Sequence, residues 1–346
     1  MHRRTFIAGA LASAASMGST ARADDVADFY KGKQLEIIVG SSPGGGYDTL
    51  ARLVAQHISR FIPGAPTAII RNMPGSGGLQ AANYLYRNAP KNGLTIGALA
   101  REIPLMGALG SNPNVAYDVR KFNWLGSASS FSNDAYILWV RKESAVKTLD
   151  DLRKPGGAPL LVGATSAAST GVLLHDTTGL NMKVIPGYKG SGDVALAVDR
   201  GEVDGQFATF TSVHNDKPHW IATDSPVYPL LQFARVTRHP RLPDVPTARE
   251  LAKDEHSRLL IEAMEVPWAM ARPFAAPPDV PEDRVAALQK AFMAVQTDPR
   301  YIADAESLKV DVSPLDGKSM IQLINKIADA PPDILDYMRK HGAGGG

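Results

Sequence analysis

Leu35 Glu36 Ile37 Ile38 Val39 Gly40 Ser41 Ser42 Pro43 Gly44 Gly45 Gly46 Tyr47 Asp48, continuing into Thr49 Leu50 Ala51 Arg52 Leu53 Val54, is the stretch on which the reading of the fold turns. It starts as a β-branched run, the pattern of a strand buried on both faces. It ends with Leu50, Leu53, Val54, Ile58 and Phe61 on one helical face. The glycines therefore lie at a strand-to-helix junction. Bare backbone there lets N–H groups approach a ligand, and the helix behind adds roughly half a positive charge at its N-terminus. Ser42, Gly44, Gly45, Gly46, Tyr47 and Asp48 thus become candidate ligand-binding residues for an anion.

Two plainer readings compete. Any strand-to-helix turn tends to carry glycine and a capping residue such as Asp48. A dinucleotide fingerprint fits less well, because Gly44, Gly46 and Thr49 lack the third glycine of G-x-G-x-x-G, and no G-x-x-x-x-G-K-[ST] occurs.

Working outward to the N-terminus, residues 1–23 read as an export signal: Arg3 and Arg4, a small-residue apolar run, then Ala21 Arg22 Ala23 before the cleavage point. Arg3 Arg4 Thr5 Phe6 Ile7 resembles a twin-arginine signal, although Sec signals also carry paired arginines. The 37 basic and 35 acidic residues include Arg3, Arg4 and Arg22, so removing the leader leaves the mature chain close to neutral. Nothing in that balance suggests a nucleic-acid partner. Two lobes are expected from a mature length of roughly 320 residues. No remaining apolar run is long enough to span a membrane. The absence of cysteine excludes disulfides, thiolate metal sites, a cysteine nucleophile and a lipid anchor on an N-terminal cysteine. An exported protein without an anchor stays with its cell only if an outer membrane retains it, which points to the periplasm.

Toward the C-terminus the design repeats. Residues 68–71 read as a strand, followed by a second glycine loop with Ser76, Gly77 and Gly78, a helix, and a third strand at 94–99 ending at Arg101 and Glu102. Further strands are expected at 136–140, 160–163, 184–185, 206–210, 228–233 and 268–271. The loop with Thr165, Ser166, Ser169 and Thr170, and the loop with Tyr188 and Ser191, each open a helix. Gly201 Glu202 Val203 Asp204 turns the chain into the next strand. Helices are expected from Pro281, at 320–327 and at 334–338, before a flexible glycine tail. Strand, loop and helix in alternation make an α/β, doubly wound pattern.

Six stretches together resemble the Bug family, the extracytoplasmic solute receptors of tripartite tricarboxylate transporters. They are residues 43–48, 72–78, 89–93, 187–190, 201–204 and 242–247, and the resemblance covers nearly the whole mature chain. It implies a two-lobed Venus-flytrap binding protein, type II-like, with two crossing strands near 124–130 and 228–234. Lobe 1 would then comprise 24–127 and 235–346, and lobe 2 residues 128–234. It implies a small organic carboxylate held in the interlobe cleft by loop amides and hydroxyls. Ser42 to Asp48 and Ser76 to Gly78 would face it from lobe 1, and Thr165, Ser166, Ser169, Thr170, Tyr188 and Ser191, with Asp204 nearby, from lobe 2. It further implies a monomer working with membrane permease subunits, with no cofactor, metal or catalytic residue.

Two departures from the family pattern stand out: Asn72 to Ser76 lacks an arginine before its proline, and the third strand runs into Arg101. Arg101 is placed either to pair with a second ligand carboxylate or to form an ion pair with Glu102. Thr165, Ser166, Ser169 and Thr170 serve equally well as helix caps. A receptor feeding a membrane signalling system is indistinguishable at this level. An exported hydrolase is the weaker alternative, since none of the eight histidines stands in an evident catalytic motif, and the five-residue spacing of His214 and His219 does not suit a helical zinc pair.

Overall fold

The computed structural model describes residues 25–44, 46–164, 169–188 and 191–341. The export signal at 1–23, Gly45, Thr165, Ser166 and the glycine tail lie outside the described residues.

The opening stretch forms strand β1 (Gln34–Val39), in which Leu35, Ile37, Ile38 and Val39 are wholly buried, and helix α1 (Gly46–Ile58). Burial on both faces of β1 is what an unbroken β-branched run requires in a parallel sheet. The chain continues through β2 (Thr67–Asn72), α2 (Leu79–Arg87), β3 (Thr95–Ala98), α3 (Glu102–Leu109) and β4 (Asn123–Ser127). Residues 128–135 then cross to a second set of elements. These are β5 (Tyr136–Arg141), β6 (Leu160–Gly163), α4 (Ser169–Thr178), β7 (Met182–Ile185), α5 (Ser191–Arg200), β8 (Gly205–Thr209), α6 (Phe210–Asp216) and β9 (Val227–Phe233). The chain returns through α7 (Glu255–Ala269) to β10 (Pro273–Ala276), α8 (Glu282–Gln296), α9 (Pro299–Ser307), β11 (Leu315–Asp316), α10 (Gly317–Ala328) and α11 (Pro332–His341).

Two sheets result. The first has the order β11-β4-β10-β3-β1-β2, with β2, β1 and β3 parallel and β10 antiparallel to both β3 and β4. The second has the order β7-β6-β8-β5-β9, with β7, β6 and β8 parallel and β5 antiparallel to its two neighbours. The first sheet therefore draws strands from both ends of the chain, and the second from its middle. Each sheet carries the carboxyl ends of three parallel strands, where open α/β sheets bind ligands.

Several expectations are corrected. Residues 268–271 are not a strand: 268 and 269 close α7, and β10 begins four residues later. Pro267 disguises this helix, because a proline normally ends one. Its start is firm, with Asp254 accepting the Ser257 amide at 2.7 Å. Pro104 similarly hides α3, which stops at Gly110 in the left-handed region. Residues 228–233 do not cross between sheets but stay in the edge strand β9. The crossings are 128–135 and the long return after Phe233. They are tied together by Arg235, whose Nη1 donates to the carbonyls of Ser132 (3.0 Å) and Asp134 (2.6 Å).

Candidate functional site

The first glycine loop is braced from within. Asp48 lies in the first turn of α1, 2 % exposed, and accepts from the Gly44 amide, Arg52 Nε and Asn72 Nδ2, each at 2.8 Å. The Arg52 guanidinium, with the Gly44 and Asn72 donors behind it, holds the Asp48 carboxyl down at about 2 against the opposing effect of burial. Asn72 Nδ2 also donates to the Ser41 carbonyl at 3.0 Å, lacing the first loop to the end of β2. Asp48 is thus a brace rather than the expected helix cap. It also takes the Gly44 N–H, so that amide is not among those bare toward a ligand. Gly44 (φ +84°) and Ser42 are exposed, and so is Gly46 at the head of α1.

The second glycine loop sits against the first. Ser76, Gly77 and Gly78 have φ of 47°, 62° and 91°, three successive left-handed residues before α2. A Cβ on Gly78 would meet Ala100 Cβ at 3.1 Å, and one on Gly40 would meet Gly78 Cα at 3.2 Å. This close backbone approach is why glycine is needed at both positions.

Two cations and two rings gather at the carboxyl end of β3. Tyr47 Oη accepts the Arg101 amide at 3.1 Å, so the tyrosine of the first loop is joined to the end of β3. The Arg101 guanidinium lies over the Trp268 ring, 4.2 Å from its centroid, and its Nε donates to Glu102 at 2.9 Å. The ion pair with Glu102 is therefore formed, and it leaves the rest of the guanidinium at the site. Arg272 caps the Tyr47 ring at 4.3 Å. Sequence reasoning missed Arg272. Only the sheet order reveals that β10, running antiparallel with Phe274 opposite Ala98, starts where β3 ends.

The second sheet contributes a cavity of about 130 Å³ at the ends of β6 and β7. Thr170 and Gly171 of α4 and Ser191 and Val194 of α5 line it, so two ten-residue helices open onto one space. Its walls are Val162, Val184, Phe207, Tyr136 and Gln206. Tyr136 stacks on Phe207 (5.4 Å between ring centres) and on Trp268 (4.4 Å), giving one aromatic strip from Arg101 to the cavity. Burial pushes the Tyr136 phenol up, with the Arg101 charge opposing.

The other expected residues fall as follows. Thr165, Ser166 and the Ser169 side chain are outside the described residues, as is Gly45. Tyr188 is half-buried next to the cavity floor, its ring 3.4 Å from where a Cβ on Gly163 would stand. Asp204 is not brought to the group. It precedes β8, and its carboxylate accepts the Leu161 amide at 2.9 Å, fastening β8 to β6. Two wider surface grooves, of about 470 and 660 Å³, lie away from these loops. One is lined by His57, Arg60 and Asp304 toward the far end of α1 from the glycines, the other by Arg120, Trp124 and Gly317. Size alone does not select the site, because neither groove meets a glycine loop.

Sequence reasoning found no G-x-S-x-G nucleophile elbow, yet Gly40, Ser42 and Gly44 have that spacing at a strand-to-helix turn. The surroundings do not complete one: Asp48 is committed to Gly44, Arg52 and Asn72, and the nearest histidine in sequence, His57, pairs with Asp304 at 2.8 Å. Among the described residues no group of three His, Asp or Glu is arranged to hold a metal ion, and no helix is long and apolar enough to cross a membrane.

Residues 50–335 match the family described as the tripartite tricarboxylate transporter family receptor. The chain belongs to this family. It is accordingly a solute-binding receptor by family. It is 27 % identical over 332 residues to the UPF0065 protein in the gbd 5' region of Cupriavidus necator, covering 91 % of this chain and 90 % of that one. A TctC solute-binding protein from Polaromonas has the same fold, with a TM-score of 0.68 at 18 % identity over 90 % of this chain and 99 % of that one. MatC from Rhodopseudomonas palustris, solved with bound malate, gives 0.56 at 21 % identity, covering 88 % of this chain and 99 % of that one. The two-sheet architecture is thus that of periplasmic binding proteins, as the sequence led one to expect.

Proposed function

We propose that this receptor captures a small organic carboxylate between its two sheets, in the periplasm, and delivers it to the permease subunits of a tripartite tricarboxylate transporter. The observation that carries this reading is the convergence of α4 and α5 on one cavity. The first turns of two helices line the same space, and helix N-termini offer N–H groups and partial positive charge, to which a carboxylate is suited. Arg101 and Arg272, at the other end of the aromatic strip, add the cationic field that would draw an anion in. The malate held by a protein of the same fold is in keeping with such a ligand.

On this reading the strands divide into lobe 1, residues 24–127 and 235–346, and lobe 2, residues 128–234. The leader through Ala23 directs export, by the twin-arginine route, and the mature protein acts as a monomer without enzymatic activity. Tyr47, Arg101 and the amides of Ser76 and Gly77 would meet the ligand from lobe 1, the Gly78 amide being taken by the Gly75 carbonyl at 2.9 Å, and Thr170 and Ser191 from lobe 2. A thermal-shift screen of mono- and dicarboxylates on the mature protein tests this. A ligand at about 100 times its dissociation constant adds roughly 2.7 kcal/mol of stability. If no carboxylate raises the melting temperature, the reading fails.

A further inference from the structure

Gln206 lies in β8 at the centre of the second sheet, opposite Gly163 of β6 on one side and Trp139 of β5 on the other. It is 3 % exposed, and it lines the cavity onto which α4 and α5 open. Among the described residues its Oε1 has no hydrogen-bond donor. Buried polar atoms are nearly always paired, and leaving one unpaired is costly, so an orphaned acceptor in the wall of a binding cavity asks for its donor from outside the protein. Val162 and Val184 have no side-chain donor to offer, and the hydroxyls of Tyr136, Thr170 and Ser191, which line the same cavity, do not donate to Gln206 Oε1. The helix N-termini supply donors, which suit a carboxylate and not a second donor. The cavity therefore presents two unlike demands within about 130 Å³, one for an anion and one for an O–H or N–H.

We propose that Gln206 makes this receptor selective for hydroxycarboxylates: the carboxylate sits on the N-termini of α4 and α5 while a hydroxyl on the adjacent carbon donates to Gln206 Oε1. The proposal rests on the carboxylate-receptor reading above and adds the substrate class. Size agrees with it, since a cavity of about 150 Å³ holds a benzene ring, and a carboxylate with its carbinol carbon and oxygen is no larger. An ammonium group would also donate, but no carboxylate is among the described lining residues to balance its charge. Selection of this kind is asymmetric. A site built to accept a ligand hydroxyl rejects the analogue that lacks it much more strongly than an apolar pocket rejects an extra hydroxyl.

Calorimetry on the mature protein with the matched pairs lactate and propionate, 2-hydroxybutyrate and butyrate, and malate and succinate tests it, with pyruvate and oxaloacetate as oxo analogues. The hydroxy member of whichever pair binds should be at least tenfold tighter than its deoxy partner, and Gln206→Leu should erase that preference. Should Gln206→Leu not fold, Gln206→Met offers a closer match in shape for the same comparison. Equal binding of hydroxy and deoxy members overturns the proposal and leaves the carboxylate reading standing. So does tighter binding of the oxo member, which would mean that the amide turns its N–H to the ligand. Failure of every acid to bind defeats both.

Discussion

The guanidinium of Arg101 rests over the Trp268 ring, 4.2 Å from its centre, and the Tyr136 ring of the second sheet lies 4.4 Å from the same indole. One side chain from the end of α7 thus touches a cation of the first sheet and an aromatic wall of the second. A ligand that draws Arg101 or Tyr136 must disturb this indole. Of the four tryptophans, Trp124, Trp139 and Trp220 are at most 2 % exposed, whereas Trp268 is partly open. Ligand binding should therefore change the intrinsic fluorescence, and Trp268→Phe should remove most of that change. It should also weaken binding several-fold, because the best cation-π partner is replaced by a poorer one. A full fluorescence response in Trp268→Phe would show that this indole is not at the site.

Asp48 offers a test on stability. Its carboxylate takes three donors while buried, and hydrogen bonds to a charged group contribute about 1.5–3 kcal/mol. Asp48→Ala should cost about 3 kcal/mol, measured by urea unfolding, well beyond the cost of a lost helix cap of about 1 kcal/mol. The pH dependence has a definite sign. With the folded carboxyl held at about 2, below its ordinary value, its contribution is complete above pH of about 4 and is lost as pH falls toward 2. Asp48→Asn should flatten the acid limb of the stability profile across that window. An unchanged acid limb would mean that other carboxylates govern acid unfolding.

Much of this was legible in the sequence because the two periods, strand and amphipathic helix, are strong where β-branched runs meet glycine loops: β1, β2, β6 and their following helices all stand close to where the residues put them. What stayed hidden has physical causes. Pro267 and Pro104 read as helix breakers, yet they sit within α7 and α3, so Trp268 passed for a strand residue and its place between Arg101 and Tyr136 was lost. Arg272 and Gln206 owe their positions to sheet order, which no local pattern encodes. Asp48 was correctly tied to the start of α1, but its hold on Arg52 and Asn72 was not foreseen, because they reach it only through side-chain geometry.

Glu265 carries a second pH test, of opposite sign. Buried in α7 at 3 % exposure, it accepts the Ala234 amide at 2.8 Å and Arg249 Nε at 2.5 Å, and so holds the return crossing where Ala234 takes a left-handed φ of 61°. Burial pushes its carboxyl up to about 7 against the pull of Arg249. The folded protein then holds a proton that the unfolded chain releases, so this group makes stability fall as pH rises from its ordinary value toward 7. Glu265→Gln, which keeps an acceptor for Ala234, should abolish that slope in chemical unfolding. Glu265→Ala, leaving the Ala234 N–H without its acceptor and Arg249 with Glu262 alone at 3.6 Å, should cost about 3 kcal/mol at pH 8. A Gln variant with the parental slope would place the titration elsewhere.

The sheet orders predict how the chain can be cut. In the first sheet β4 reaches β3 only through β10, which arrives from the far end of the sequence. A fragment of residues 25–127 therefore holds β4 with no strand beside it. It also lacks α8, whose Leu288, Phe292 and Val295 are wholly buried, at a loss of roughly 1.5–3 kcal/mol for each large side chain. Such a fragment should show no cooperative urea transition by circular dichroism. Residues 128–254 contain every strand of the second sheet, including β9, whose Gln232 Nε2 is anchored on the carbonyls of Leu242 (3.0 Å) and Val245 (2.6 Å). That piece should unfold cooperatively, though less stably than the whole, because α4 loses the cover of α7 and α11. Ending it at 228 removes most of β9, the longest partner of β5, and should abolish the transition. Cooperative unfolding of 25–127 alone would show that β1, β2 and β3 form a self-sufficient unit, and that the return of β10 completes the first sheet without being required for it.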